Sequence, residues 1–207
     1  MSKADQYARQ VDAWTERSYA DATAYLAHRA DLIEVLGPRL EPGDEVLDLA
    51  CGDAGLGGLL LERGLRYLGV DATSEMVAEA QHRLGERAGV EVGDLNEYTP
   101  PRPVAATTVF RAIYYARDRR AFFKHVAAFT EKKLVFDLNP RQSRPDDVLD
   151  DLRAVGFARV VLRPFLIPQT VALPRLVARG AIALERSGPL ARLVLRARFT
   201  YIVAASR

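Results

Sequence analysis

Three aspartates stand at equal intervals: Asp71 follows Asp48 by 23 residues, and Asp94 follows Asp71 by 23 more. The first lies near the end of an apolar run, "VLDLA" (46–50), after which comes a loop poor in side chains, "CGDAGLGG" (51–58). The second ends "RYLGVD" (66–71) and the third ends "AGVEVGD" (88–94). A carboxylate beside a Gly/Ala loop, where a buried strand hands over to a helix, points to a small polar ligand. In an open parallel sheet such ligands settle beyond the carboxyl ends of the strands, near the point where strand order reverses. An acid ending the second strand can accept both hydroxyls of a ribose. One ending the third can meet the exocyclic amine of an adenine.

The elements that must position these residues alternate. Residues 4–36 contain no Pro or Gly and place apolar residues at helical spacing, with Gly37-Pro38 as the stop, so one helix is predicted there. "LGGLLLERG" (56–64) reads as a helix ending at Gly64, and "SEMVAEAQHRLG" (74–85) as one capped by Thr73 or Ser74. "ATTVFRAI" (106–113) and "KKLVFDL" (132–138) read as strands around the helix 117–132. A helix over 145–156, with Pro145 in its first turn, and strands over 157–167 and 199–206 complete the pattern. Such alternation argues for an α/β domain: a mainly parallel sheet covered by helices on both faces. Residues 169–198 break it as an Arg-rich, apolar, helical insertion between the last two strands.

Composition narrows the class. A length of 207 residues suits one domain with a sizeable core, and 49% hydrophobic with 27% charged residues is ordinary for a soluble protein. No apolar run reaches the ~18 residues of a membrane span, and "MSKADQYARQ" lacks a secretory apolar region, so a cytoplasmic location is expected. One cysteine, Cys51, excludes an internal disulfide framework, and three scattered histidines with no HxxxH or HExxH spacing give no metal site. Charge is uneven. From Arg153 onward there are ten Arg, no Lys and one acid, Glu185, a net +9, and the chain's total of +2 leaves −7 on residues 1–152. A basic end suggests an anionic partner or a membrane surface, or else arginines on a solvated face.

Across residues 41–140 the chain resembles the class I S-adenosylmethionine-dependent methyltransferases. "VLDLACGDAGLG", "LGVDATSEMVAEA", "VGDLNEY" and "TVFRAIYYARD" follow one another in that family's order and at its distances. The resemblance implies a Rossmann-like seven-stranded mixed sheet, its last strand antiparallel, with S-adenosyl-L-methionine as cofactor. It places Asp48 and the loop Ala50, Cys51 and Gly52 against the methionine part, Asp71 on the ribose, Ala72 and Met76 on the adenine, and Asp94 on the adenine amine with Leu95 beside it. Phe110 would meet the methionine. Residues 1–40 would form a helical cap over the cofactor, and 41–207 the methyltransferase domain. The family's glycine loop departs here, with Ala50 and Ala54 in place of two glycines, a change tolerated where the backbone keeps negative φ. A nicotinamide-binding fold is the rival, but "ACGDAG" supplies only Gly52 and Gly55 of the three glycines that G-x-G-x-x-G requires.

Each candidate has a plainer alternative. Asp48 could cap the following loop, Met76 could be core, and Cys51 could be a small apolar filler, with nothing basic nearby in sequence to activate it. Arg111, Tyr114 and Tyr115 follow the fourth strand, where acceptor and methionine meet; they are the catalytic candidates, or else packing. No Asn/Asp-Pro-Pro-Tyr/Phe motif stands there, which argues against DNA as substrate. His28 could be a base acting near neutral pH, or a structurally bonded histidine. His82 and His125 receive no role. In the insertion, Arg175, Arg179 and Arg186 fall within about 40° of one another on a helix of 3.6 residues per turn. The insertion is read as a substrate lid with basic edges, with a peripheral membrane contact or a helical pair completing the core as alternatives. The expected activity is methyl transfer to oxygen or nitrogen of a small, largely apolar metabolite, and the basic edges of the insertion would suit an anionic one. An RNA- or lipid-directed enzyme and a cofactor-binding scaffold are the other readings.

Overall fold

A computed structural model of the chain describes residues 14–195 and 200–207. In chain order it contains helices α1 (Trp14–Ser18) and α2 (Ala22–Val35), strand β1 (Glu45–Leu49), α3 (Gly57–Leu61), β2 (Arg66–Asp71), α4 (Ser74–Leu84) and β3 (Gly89–Val92). There follow β4 (Val104–Val109), α5 (Arg119–Ala127), β5 (Thr130–Leu138), α6 (Pro145–Ala154), β6 (Arg159–Pro164), α7 (Arg175–Glu185), α8 (Pro189–Leu195) and β7 (Tyr201–Ser206).

The strands form one sheet in the order β3-β2-β1-β4-β5-β7-β6. Parallel ladders join β1 to β2 and β4, β2 to β3, and β4 to β5. β7 runs antiparallel between β5 and β6. This is the Rossmann-like seven-stranded mixed sheet that the resemblance implied. Its central strands are mostly apolar because both faces are covered, and every residue of β4 and of β7 is buried. One face packs Leu32 and Ile33 of α2, Leu60 of α3 and Val77 and Leu84 of α4. The other packs Phe122, Phe123 and Val126 of α5 with Val148 and Leu152 of α6. Strand order reverses between β1 and β4, and a crevice opens there at the carboxyl ends.

The single N-terminal helix expected over 4–36 is broken. Residues 4–13 lie outside the described part, and the remainder splits at Tyr19–Asp21 into α1 and α2. Asp21 accepts the Ala24 N–H at 2.9 Å and so caps α2, which competes with a continuous helix. Tyr19 folds back to stack on Tyr25, with ring centroids 4.5 Å apart. The helix expected over 117–132 stops at Ala127, because Thr130 starts β5, its buried hydroxyl bonding that of Thr107 at 2.6 Å. The strand expected over 106–113 ends at Val109, and the chain turns away into a 3-10 turn over Ile113–Tyr115. At the far end of α2, Lys133 of β5 donates to the carbonyls of Glu34 and Leu36 at 3.0 and 2.8 Å, satisfying that helix terminus. No described helix is long and apolar enough to cross a membrane.

Candidate active site

The crevice is a cavity of about 430 Å³. It lies over the ends of β1 to β4 and is roofed by α1 and by Tyr19, Leu26 and Arg29.

The loop after β1 carries three residues in the left-handed region: Ala50 (φ 59°), Gly52 (φ 58°) and Ala54 (φ 54°). The expectation that both alanines keep negative φ is therefore wrong. Each alanine sits where an L-residue is strained by roughly 1–2 kcal/mol, and tertiary bonds hold it there. Cys51 donates its N–H to Val70 at 3.0 Å, and Gly52 donates to Asp71 Oδ2 at 2.9 Å. Asp53, 1% exposed, accepts the Thr15 N–H at 2.9 Å, the Thr15 hydroxyl at 2.5 Å and the Arg83 guanidinium at 2.8 Å. Gly55 leaves room for this contact, since a Cβ there would lie 2.2 Å from Thr15 Oγ1.

Asp48 is buried and bonds across the sheet, accepting from Tyr67 of β2 at 2.8 Å and Thr108 of β4 at 2.7 Å. It therefore does not cap the loop. Burial pushes its carboxyl up to about 6, against the bonds from Thr108 and Tyr67 that favour the charged form. Asp71 joins the loops after β1 and β2, accepting Gly52 N–H on one oxygen and Thr73 N–H at 3.0 Å on the other. Thr73 precedes α4 without a side-chain cap. Asp94 accepts both the backbone and side-chain N–H of Asn96 at 2.8 Å and pairs with Arg117. The Asn96 bonds, aided by the Arg117 charge, hold its carboxyl below the usual range.

The cavity lining brings together Asp48, Ala50, Cys51, Gly52, Asp71, Ala72, Met76, Asp94, Leu95, Phe110, Arg111, Tyr114 and Tyr115. Burial pushes the Cys51 thiol well up, with Asp48 and Asp71 adding to the effect, which disfavours the nucleophilic thiolate. Arg111 is a third non-glycine residue at positive φ (54°), its N–H held by Asp137 Oδ1 at 2.7 Å and its guanidinium over the Tyr19 ring. Tyr114 and Tyr115 pack ring against ring at 4.4 Å.

Two expectations need correction. His28 is 3% exposed, bonds Glu185 at 2.6 Å and stacks on Phe165. It lies outside the cavity lining, with its Nε2 engaged by Glu185. The insertion contributes no described residue to the lining. Instead Ala178, Ala181 and Ile182 pack on the core, and Gln169 bonds Ser18 and Ala20, so it buttresses the N-terminal segment.

Sequence reasoning missed Trp14, Thr15, Asp53, Asn96 and Arg29. The bond between Thr15 and Asp53 spans 38 residues and has no local signal. Arg29 is 2% exposed on α2, with its guanidinium 4.2 Å from the Phe110 ring centroid and its Nε without a partner. A lone arginine in an apolar helical pattern was the available hint.

Residues 46–133 match a family model described as a methyltransferase domain. Over that stretch the chain is similar to methyltransferase domains. It is 33% identical over 87 residues to an uncharacterized methyltransferase of Geobacillus thermodenitrificans (strain NG80-2), covering 40% of this chain and 40% of that protein. It is 30% identical over 130 residues to another from Geobacillus kaustophilus (strain HTA426), covering 59% of this chain and 56% of that one. The chain thus spans about half the length of these curated relatives. A TehB-like methyltransferase structure from Corynebacterium glutamicum superposes with TM-score 0.64 and 18% identity over 99% of this chain and 98% of its own. At that identity the likeness concerns the methyltransferase fold alone.

Proposed function

We propose that the chain transfers a methyl group from S-adenosylmethionine to an oxygen or nitrogen of a small, largely apolar metabolite. The observation that carries this reading is the convergence of Asp71 and Asp94, on consecutive strand ends, at one cavity that Phe110, Tyr19, Tyr114 and Tyr115 also line. A volume of about 430 Å³ falls within the ~300–1,000 Å³ of small-molecule sites. The cofactor fits the residues present. Asp71 retains lone pairs for ribose hydroxyls beyond the two N–H bonds it accepts. The unpartnered, buried Arg29 Nε suits a carboxylate, such as that of the methionine part.

When bound, S-adenosylmethionine supplies a methyl group on a cationic sulfonium, open to in-line displacement. Loop Ala50–Gly52 and Asp71 would fix one end of that line, and the aromatic wall would hold the acceptor at the other. Trp14, Thr15 and Tyr19 line the cavity and would exclude water from the acceptor atom. No histidine is among the described residues of the lining. An acceptor that needs no strong base, such as a carboxylate, an acidic phenol or a neutral amine, suits such a lining.

Calorimetry with S-adenosylhomocysteine tests the reading. Asp71→Ala should weaken binding at least about tenfold, or 1.4 kcal/mol. Unchanged affinity would remove the ribose assignment. Incorporation of tritiated methyl groups into fractionated cell extract would then identify the acceptor.

A further inference from the structure

Helices α7 and α8 connect the carboxyl end of β6 to the start of β7, on the cavity side of the sheet. The inner side of α7 is settled: Ala178, Ala181 and Ile182 pack on the core, and Glu185 is buried against His28 and the Leu166 N–H. The outer side is unlike an ordinary solvated face. At about 100° per residue, Arg175, Arg179 and Arg186 form one stripe, and Ala183, Leu176, Gly180 and Val177 continue around the helix beside it. Leu176 is 79% exposed and Val177 53%. α8 adds Leu190 at 57% and Leu193 at 61%, and Val171 before α7 adds another at 57%. Five of the nine large exposed hydrophobics among the described residues thus stand on two consecutive helices in contact with each other and on the segment before them, a clustering that scattered surface residues lack.

Charge identifies what the patch fits. From Arg153 onward the only acid is Glu185, and it is buried, so every exposed ion of this segment is a cation. A second copy of the chain would bring arginine against arginine in a two-fold contact. A nucleic acid would use the arginines but not the leucines, and among the described residues the patch offers no aromatic ring for a base to stack on. Exposed leucines flanked by arginines and free of carboxylates match the boundary between anionic headgroups and acyl chains.

We propose that the outer face of α7 and α8 docks the protein on an anionic lipid surface, with Leu176, Leu190 and Leu193 entering the interface and Arg175, Arg179 and Arg186 meeting phosphates. Docking there turns the carboxyl edge of the sheet toward the bilayer, from which an apolar acceptor can be drawn. The inference does not rest on the methyl-transfer reading.

The test is cosedimentation of the full chain with vesicles of equal parts phosphatidylglycerol and phosphatidylcholine, alongside vesicles of phosphatidylcholine alone. Binding is expected only to the former, weakening as salt rises. Leu176→Asp with Leu193→Asp should lower the partition about tenfold or more, and Arg175→Gln with Arg179→Gln should lower it comparably. Both pairs are surface changes, and unaltered circular dichroism and thermal unfolding verify that each variant is folded. Absence of binding to the anionic vesicles, equal binding to the neutral ones, or full binding by the folded leucine variant would overturn the proposal. So would salt-sensitive binding to transfer RNA with none to vesicles.

Discussion

Thr15 gives both its N–H and its hydroxyl to the carboxylate of Asp53, at 2.9 and 2.5 Å, and so fastens the N-terminal segment to the loop after β1. The same carboxylate takes Arg83 of α4 at 2.8 Å. Three parts of the cavity rim thus meet at one buried acid. Asp53→Ala should cost about 3 kcal/mol by leaving these donors unpaired, and it should weaken S-adenosylhomocysteine binding as the roof loosens. Urea denaturation and calorimetry measure the two effects; a stability loss without an affinity loss would mean that α1 does not cover the ligand.

Gly55→Ala probes the same contact sterically. Its Cβ would arrive 2.2 Å from Thr15 Oγ1, so α1 must move. The loss should resemble that of Asp53→Ala, and the double variant should be less than additive.

Ala50 stands at φ 59° and is only partly buried. Replacing it by Gly removes a left-handed strain of about 1–2 kcal/mol while adding about 0.5–1 kcal/mol of unfolded-chain entropy. A net stabilisation of roughly 0.5 kcal/mol is expected, whereas Ala50→Val should destabilise by more than that. Denaturation midpoints of the two variants decide it.

Asp94 should contribute to adenine recognition and Arg117 should not. Arg117 is largely exposed, and such ion pairs contribute about 0–1 kcal/mol. Arg117→Ala should leave S-adenosylhomocysteine affinity within about threefold, while Asp94→Ala should lower it by about tenfold. Equal losses in the two variants would refute the division.

Asp48 makes stability depend on pH in an unusual direction. Its folded value of about 6 lies above the ordinary 3.8, so the folded state holds the proton more tightly than the unfolded chain. The stabilisation is complete below 3.8 and is lost as pH rises through about 6. Relative to Asp48→Asn, the wild type should lose on the order of 2–3 kcal/mol between about pH 4 and pH 8. A pH-independent difference in urea midpoints would contradict the assignment.

The sheet was legible because its strands announce themselves: "RYLGVD" is an apolar run closed by an acid, and β2 spans those residues. The aspartates at strand ends were legible by their spacing, and the arginine stripe of α7 by its period. Backbone handedness was not. Nothing in the letters of Ala50 and Ala54 shows positive φ, and the bonds that hold their loop come from Asp71, Val70 and Thr15, elsewhere in the chain. Asp21 is a common cap residue, yet its power to break a long helical pattern depended on Tyr19 finding Tyr25. His28 reads as a possible base until Glu185, 157 residues away, is seen to occupy its Nε2. Period alone placed arginines and leucines on α7 but not the side that the core would claim.

β6 touches the sheet only through β7, which follows it in the chain and slots between it and β5. During synthesis β6, α7 and α8 therefore emerge before the strand that moors them. The inward edge of β6 has no ladder partner until residues 201–206 pair with it. This closing event joins distant segments and is slow by topology. The interval before it is when a nascent chain is most exposed to self-association and to chaperone capture.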